Sequence, residues 1–347
     1  MLDNNRVSWI DLTKAISLVS IIVVHSITRD ALSTVLTGFV IPAFFILYGV
    51  THKNEKHRHN IGQCVRSRFR SLMIPYILLS ISMLVLYSFL YPVVDMGLTP
   101  ADFAFWLVYG NGPAQRVSHL WFLRTMFFAI VAFLLVDKYL HDKPSILRYI
   151  IILCLPALGV MTKTAMGVEL VPWGIDSIFI ALSFMMIGNE IRRHHELSSW
   201  SVSISIDAIA ISISLIVFVW LSLYNGFVNV GEGLYGQSIY IHMITGVLGT
   251  HILSVLSYHF CRHSMVPTLL SKFIKYGQEI YEIHPLMIEI NVQVLGGLLI
   301  WNALMIYPNN PLFLVNLVSG ILVSWLIASK VIGKSRILRF VFLGRST

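Results

Sequence analysis

The chain of 347 residues is too apolar to fold as a water-soluble protein of its size. Hydrophobic residues make up 56% of it and charged residues only 12%, the mean hydropathy is +0.76, and the net charge is +8. This composition leaves too little polar surface to cover a soluble domain, so it excludes soluble enzymes and soluble binding modules. We therefore expect an all-α, polytopic integral membrane protein.

Ten segments are long and apolar enough to cross a membrane as helices, since roughly 20 mostly apolar residues span about 30 Å of hydrocarbon. In chain order the predicted spans lie near residues 9–28, 33–51, 71–91, 118–137, 147–162, 174–191, 201–224, 236–258, 277–304 and 312–330. Residues 101–110 are too few to span and are predicted to be interfacial or re-entrant. A single membrane domain is expected over residues 1–347, ending in a short basic cytoplasmic tail at 331–347.

The distribution of basic residues predicts that both termini lie in the cytoplasm. With the amino terminus inside, 21 of the 25 Lys and Arg residues fall in inner segments and only three, Arg29, Arg116 and Lys163, in outer loops. Short cytoplasmic loops are enriched in Lys and Arg, whereas translocated loops are not. Topology therefore accounts for the positive net charge, and no nucleic-acid partner is expected.

The three cysteines predict neither a disulfide framework nor a metal centre. Cys64, Cys154 and Cys261 lie in or beside inner loops or within the membrane, and their spacing is not that of metal ligands. We expect no metal site.

The first predicted helix carries ionisable side chains along one face. Lys14 and His25 are eleven residues apart, a rotation within about 20° of three whole turns, and Asp11 lies near the same stripe. An ionisable residue inside a span is costly and by default indicates a site that faces the bundle interior or a cavity. His25 is therefore either functional or a neutral histidine hydrogen-bonded to a neighbouring helix, and both interpretations stay open.

Several segments, in this order and spacing, are similar to those of one family of membrane proteins. They are Arg6–Lys14 (RVSWIDLTK), Val23–Ser26 (VVHS), Ile41–Gly49 (IPAFFILYG), Arg68–Tyr76 (RFRSLMIPY), His119–Leu123 (HLWFL) and Ile280–Pro285 (IYEIHP). Together they resemble the acyltransferase-3 family. The resemblance implies a membrane O-acyltransferase of about ten helices that modifies surface glycans or other exported molecules.

The family's motifs imply roles for individual residues of this chain. The first-helix pattern, a basic residue followed by ten others and then histidine, is matched by Lys14 and His25, and the resemblance implies that His25 is catalytic. The family has two arginines three apart at the start of its third helix, whereas this chain has Arg66, Arg68 and Arg70, each two apart. Which of these arginines takes the family's role is open.

These residue types suit the transfer of an acyl group from a thioester to a sugar hydroxyl. An alcohol attacks poorly until its proton is being removed, and a neutral buried histidine such as His25 can accept that proton. Arginines can bind the phosphates of an acyl-CoA donor bidentately, and Lys14 can contribute as a point charge. The alternative interpretation of the arginine cluster is ordinary positive-inside topology.

Six further residues are candidates for supporting or acceptor-side roles: Asp11, His119, Trp121, Arg124, Glu282 and His284. His119 and Trp121, at the start of the fourth predicted span, are expected at the outer rim, where an aromatic belt is expected in any case. Arg124 lies within that span and either pairs with Asp176 or binds the acceptor. Glu282 and His284 precede Pro285, whose ring removes a backbone hydrogen bond and could open a polar notch.

The leading hypothesis is a multi-pass O-acyltransferase of the cell inner membrane. Its expected donor substrate is acetyl-CoA or another acyl-CoA, with no permanently bound cofactor, and its expected acceptor is a sugar of a lipid-linked or exported polysaccharide. The alternatives are a transporter or flippase of glycan intermediates, and a relative of the family that has lost the chemistry. Transporters tend to show two corresponding halves with broken helices, and we find no such internal symmetry in the sequence.

Overall fold

A computed structural model of the chain describes residues 8–27, 29–53, 60–89, 100–112, 118–194, 204–263, 273–298 and 312–345. The described residues are almost entirely helical. The helices are α1 (Ser8–Ser26), α2 (Ala31–Thr37), α3 (Val40–Thr51), α4 (Ile61–Arg68), α5 (Ile74–Phe89), α6 (Pro100–Tyr109), α7 (Trp121–Leu140), α8 (Ser145–Met166), α9 (Ile175–His194), α10 (Ile204–Asn225), α11 (Ile239–His263), α12 (Gly277–Leu298), α13 (Phe313–Val318), α14 (Ser324–Leu326) and α15 (Arg336–Leu343). Arg6, Arg116 and parts of four predicted spans, at residues 28, 90–91, 201–203 and 299–304, lie outside the described residues.

Among the described residues, eight helical stretches are long and apolar enough to cross a membrane: Ser8–Ser26, Ala31–Thr51, Ile61–Val85, Ser145–Met166, Pro172–His194, Asp207–Asn225, Ile239–Arg262 and Phe313–Lys334. Each corresponds to one of the ten predicted spans. The other two predicted spans form the helices α7 and α12, which each carry three charged residues. The prediction of an all-α membrane protein with about ten spans is confirmed.

Three helices depart from the predicted pattern in their details. The third span begins at Ile61, earlier than predicted, and passes from α4 to α5 through a π-helical turn, Phe69–Met73. The fifth span is one helix that runs through Pro156 and ends where Gly167 takes a left-handed conformation, with φ of +61°. The last span contains two π-helical turns, Ser319–Val323 and Ile327–Val331.

Helix α1 lies inside the bundle, where it packs against α3, α11 and α12. It is one unbroken helix, so Lys14 and His25 are separated by about 16 Å along its axis. Ile22, between them, is completely buried. The two ends of the face predicted from the sequence are therefore held at a fixed separation along α1.

Helices α3 and α9 approach each other closely through two glycines. A Cβ atom added at Gly49 would overlap the carbonyl oxygen of Met185, and one added at Gly188 would overlap that of Ile46. Small residues allow helix backbones to come close in membranes, where packing rather than the hydrophobic effect drives association. This contact fixes α3, which carries part of both cavities described below.

Replacing Gly49 by alanine is expected to destabilise the fold by about 1–3 kcal/mol or more, because the new methyl group forces α3 away from α9. Thermal melts of detergent-solubilised protein, followed by size-exclusion chromatography, measure the effect. The matched control is Gly62→Ala, since a Cβ atom at that position meets nothing within 4 Å. Equal melting temperatures for the two variants would contradict this account of the helix pair.

A short hairpin, Val228–Tyr235, follows α10 on the side of the bundle where α1 ends. Val228–Asn229 pairs antiparallel with Leu234–Tyr235 around a 3₁₀ turn. Lys163 of α8 donates to the hairpin carbonyls of Glu232 and Gly233, and the Ser177 hydroxyl donates to that of Val230 at 2.5 Å. These bonds hold the hairpin over the end of α1 that carries His25.

The segment predicted as a basic tail, 331–347, contains the amphipathic helix α15, which packs against α5 and α12. Gly344 ends this helix in a left-handed conformation and lies directly against the carbonyl oxygen of Arg70 in the π-helical turn. The segment is therefore part of the wall at the Lys14 end of the bundle, although it carries the basic charge that the sequence predicted.

Candidate active site

His25 is hydrogen-bonded to His284, which α12 brings to the same place. Nδ1 of His25 and Nε2 of His284 are 2.8 Å apart. The rings are nearly coplanar, at 11°, and their centroids are 5.1 Å apart. That separation exceeds the N–N distance by about two ring radii, so the rings meet edge to edge rather than face to face. Both histidines of the predicted site therefore belong to one unit, which we call the histidine pair.

The hydrogen bonds assign the proton positions in the histidine pair. Nδ1 of His284 lies 3.1 Å from the carbonyl oxygen of Ile280, which can only accept, so Nδ1 carries the proton. In a neutral ring Nε2 of His284 is then an acceptor, and Nδ1 of His25 must be the donor to it. Nε2 of His25 is left with a free lone pair, which is the state that a general base requires.

The environments of the two rings differ. His284 is completely buried, whereas the side chain of His25 is exposed and lines a cavity of about 280 Å³. Trp121 and the hairpin residues Val228, Asn229 and Val230 form other parts of its wall. We call this space the His25 cavity. A small hydroxyl-bearing group placed there can reach the unprotonated edge of His25.

A second cavity, of about 320 Å³, lies beside the first and contains Lys14. Its lining is mostly apolar: Lys14, Ala15, Leu18, Ile21, Ile41, Phe44, Tyr48, Leu72, Phe122, Leu123, Met126, Ile274, Gly277, Gln278 and Tyr281. Ile21 and Ile41 line both cavities. The Lys14 cavity therefore adjoins the His25 cavity at the middle of α1, and the two run along the face predicted from the sequence.

Aromatic side chains stand beside the histidine pair in the Lys14 cavity. Phe122 contacts both Phe44 and Tyr281, with ring centroids 5.6 and 5.4 Å away. Tyr281 in turn lies 5.9 Å from His284, and its hydroxyl donates to the backbone carbonyl of His119. His119 is close enough to interact electrostatically with both members of the pair. This packing excludes water from one side of the histidine pair.

The three arginines at the start of the third span differ in their relation to the Lys14 cavity. The guanidinium group of Arg68 lies 5.7 Å from the ring centre of Tyr48, a residue that lines the cavity. Arg66 and Arg70 are exposed, while Arg68 is half-buried. Arg68 is therefore the arginine of the cluster that the structure places at the cavity.

Glu282 faces the Lys14 end of the protein rather than the histidine pair. It is buried, and its Oε1 accepts a hydrogen bond from Nε2 of Gln278 at 3.0 Å. The same Gln278 nitrogen lies 3.0 Å from the carbonyl oxygen of Ser71 and 3.1 Å from that of Phe342. Gln278, which the sequence did not single out, thus connects the π-helical turn, α12 and α15 at the cavity wall.

Of the three remaining candidates, Trp121 lines the space around His25, whereas Arg124 and Asp11 do not. Trp121 lines the His25 cavity, and its indole packs against Gly231 of the hairpin. Arg124 is buried, donates to the carbonyl oxygen of Gly110 and packs against Gly174, so its visible contacts hold loops together. Asp11 is half-buried near the start of α1. Among the described residues, neither Arg124 nor Asp11 lines the Lys14 or the His25 cavity.

The fold and the site together define a class: a polytopic helical membrane protein with a hydrogen-bonded histidine pair beside two adjoining cavities. The model of an acyltransferase domain, that of the acyltransferase-3 family, matches residues 7–329, nearly the whole chain. The chain therefore belongs to the acyltransferase-3 family and is a membrane acyltransferase. Neither the curated proteins nor the solved structures contain a match to it.

Proposed function

We propose that the protein is an O-acyltransferase that moves an acyl group, acetyl in the simplest case, from a cytoplasmic acyl-CoA to a sugar hydroxyl on the opposite side of the membrane. The observation that carries this proposal is the hydrogen bond between Nδ1 of His25 and His284, which leaves Nε2 of His25 as a base on a residue that lines one cavity, beside a second, apolar cavity that contains Lys14. The acceptor is a sugar of a lipid-linked or exported polysaccharide, and the membrane is the cell inner membrane, with both chain termini cytoplasmic.

The donor enters at the Lys14 end in this proposal. Lys14 and Arg68 supply positive charge for the phosphates of the coenzyme, and the apolar walls of the Lys14 cavity suit its flexible arm. The distance of about 16 Å along α1 between Lys14 and His25 is the distance that the arm has to cover. The thioester then reaches the place where the two cavities adjoin.

The chemical step follows from the proton positions. Nε2 of His25 accepts the proton of the sugar hydroxyl as its oxygen attacks the thioester carbonyl carbon. A carbon–oxygen bond forms, the carbon–sulfur bond breaks, and the thiolate of coenzyme A leaves and takes up the proton that Nε2 of His25 accepted, which returns His25 to its neutral form. The imidazolium of His25 donates through Nδ1 to Nε2 of His284, so the histidine pair keeps the ring oriented and stabilises its transient charge.

Acetyl content of the surface glycan, measured by mass spectrometry in cells that contain or lack the protein, tests this function directly. We expect the acetyl ester to disappear from the glycan when the protein is removed and to return with the wild-type chain. Unchanged acetylation in cells without the protein would contradict the proposed acceptor. Loss of glycan from the surface, rather than of its acetyl groups, would support a flippase.

Replacing Arg68 by lysine is expected to weaken acetyl-CoA binding by about 10-fold, since lysine keeps the charge but loses the planar fork that binds phosphate bidentately. The matched controls are Arg66→Lys and Arg70→Lys, whose parent side chains are exposed, whereas Arg68 is half-buried beside Tyr48 of the cavity wall. Isothermal titration of purified protein with acetyl-CoA measures all three. Equal affinity for all three variants and the wild type would leave positive-inside topology as the explanation of the cluster.

A further inference from the structure

Arg29 stands between two cavities at the end of α1 that carries His25. A third cavity, of about 820 Å³, lies beside the hairpin; its wall includes Lys163, Tyr235, Gln237 and Ser238. Arg29 and Phe227 are the two residues that line both this hairpin cavity and the His25 cavity. Any molecule that extends from the hairpin cavity to His25 therefore passes the guanidinium group of Arg29.

The side chain of Arg29 is exposed and held in place by an aromatic ring. Its guanidinium carbon lies 4.6 Å above the centre of the Phe227 ring, an arrangement that fixes the plane of the fork while its nitrogen atoms stay available. The neighbouring carboxylate, Asp30, is already used as the cap of α2, where it accepts from the backbone nitrogen of Ser33 at 2.8 Å. Within the described part of the chain, no ion pair involves Arg29.

The charge of these two cavities has one sign. Among the described residues, neither cavity is lined by an Asp or a Glu, and the Lys and Arg side chains in their walls are Arg29 and Lys163. Lys163 is engaged by the carbonyl groups of Glu232 and Gly233, so it holds the hairpin. Arg29 is thus the cation whose donors face the open space.

Positive-inside topology does not account for Arg29. Only three basic residues fall on the outer side of the predicted topology, and two of them line the hairpin cavity. A basic residue there works against the orientation signal, which favours Lys and Arg in cytoplasmic segments. A ligand with complementary charge gives it a function.

We propose that Arg29 binds an anionic group of the acceptor, a carboxylate or a phosphate, and so places a neighbouring sugar hydroxyl at Nε2 of His25. The proposal rests on the acyl transfer proposed above and names the class of its acceptor: an acidic or phosphorylated saccharide. Arginine binds both anions through two parallel hydrogen bonds. Asn229 of the hairpin, which is half-buried in the wall of the His25 cavity, supplies a polar side chain that suits a sugar hydroxyl.

Binding of three small probes to purified, detergent-solubilised protein tests this proposal without requiring acyl transfer. The probes are methyl glucoside, which is neutral, methyl glucuronide, which adds a carboxylate, and glucose 1-phosphate, which adds a phosphate. We expect at least one anionic probe to bind roughly 10-fold or more tightly than methyl glucoside, because hydrogen bonds to charged groups are the strong ones. The tighter of the two anions identifies the source of the charge.

The variant Arg29→Gln is expected to reduce the ratio of anionic to neutral affinity to about one, and Arg29→Lys to retain part of it. The matched control is Arg262→Gln, which should keep the wild-type ratio. Arg262 is exposed near the carboxyl end of α11 and lines none of the three cavities. Equal binding of the three probes by the wild type, or an unchanged ratio in Arg29→Gln, would overturn the proposal. Because binding is measured, anion recognition without any acyl transfer would refute the proposed chemistry alone.

Discussion

Replacing His25 by asparagine is expected to reduce acyl transfer by roughly 100-fold or more, while the protein stays folded and binds acetyl-CoA normally. The asparagine amide can still donate to Nε2 of His284, in the place of Nδ1, but it offers no nitrogen lone pair to take up a proton. A positioned general base contributes about 10²- to 10⁴-fold to a reaction of this kind. Acetyl transfer to the glycan, measured by mass spectrometry and normalised to folded protein, gives the ratio.

A histidine with a purely structural role would respond differently to the same change. Its loss would lower stability by about 1–3 kcal/mol, and activity would fall only as the amount of folded protein falls. His25→Gln and His25→Ala serve as comparisons, because glutamine keeps an amide further along the side chain and alanine removes the polar group. Normal acetylation by either amide variant would rule out His25 as the base, and the search would move to His284 and His119.

The spans of this protein could be predicted from its sequence because each is a local property. Hydropathy over about 20 residues identifies a span whatever it packs against, and all eight apolar spans coincide with predicted ones. The third span begins at Ile61, before the predicted start near residue 71. Residues 61–70 carry three arginines and lack an apolar run, so hydropathy does not identify them as part of a span. Tertiary contacts with α7 and α15, which no local pattern contains, support helix there.

The sequence indicates which residues belong to the site but not which of them contact each other. His25 and His284 were both singled out, yet they are 259 positions apart in the chain, and nothing local indicates that one donates to the other. Asp207 and His259 likewise pair at 2.7 Å between α10 and α11, although 52 positions separate them in the chain. The hairpin at 228–235 is too short for a strand pattern, and Arg29, though counted as an outer basic residue, was not recognised as part of a cavity wall.

Replacing His284 by leucine is expected to lower the kcat of acyl transfer by roughly 10-fold or more without changing the KM for acetyl-CoA. Among the described residues His284 lines neither of the two cavities, so in the proposed mechanism it acts through His25 as a positioning residue. Leucine fills a similar volume but gives Nδ1 of His25 no acceptor, so the ring of His25 is free to rotate and to place its proton on Nε2. In that tautomer Nε2 of His25 carries the proton, so it cannot accept one from the sugar hydroxyl.

The variant His284→Gln separates this positioning role from simple packing. Its side-chain oxygen can accept from Nδ1 of His25 in the place of Nε2, so we expect it to recover most of the kcat that leucine loses. If His284 served only to fill space, the glutamine variant would be less active than the leucine variant. Burying an amide at this fully buried position costs more free energy than burying an apolar side chain. Steady-state kinetics of both variants in proteoliposomes, with folded protein quantified in each preparation, decide between the two. A glutamine variant less active per folded molecule than the leucine variant would show that the hydrogen bond between the two histidines does not orient the base.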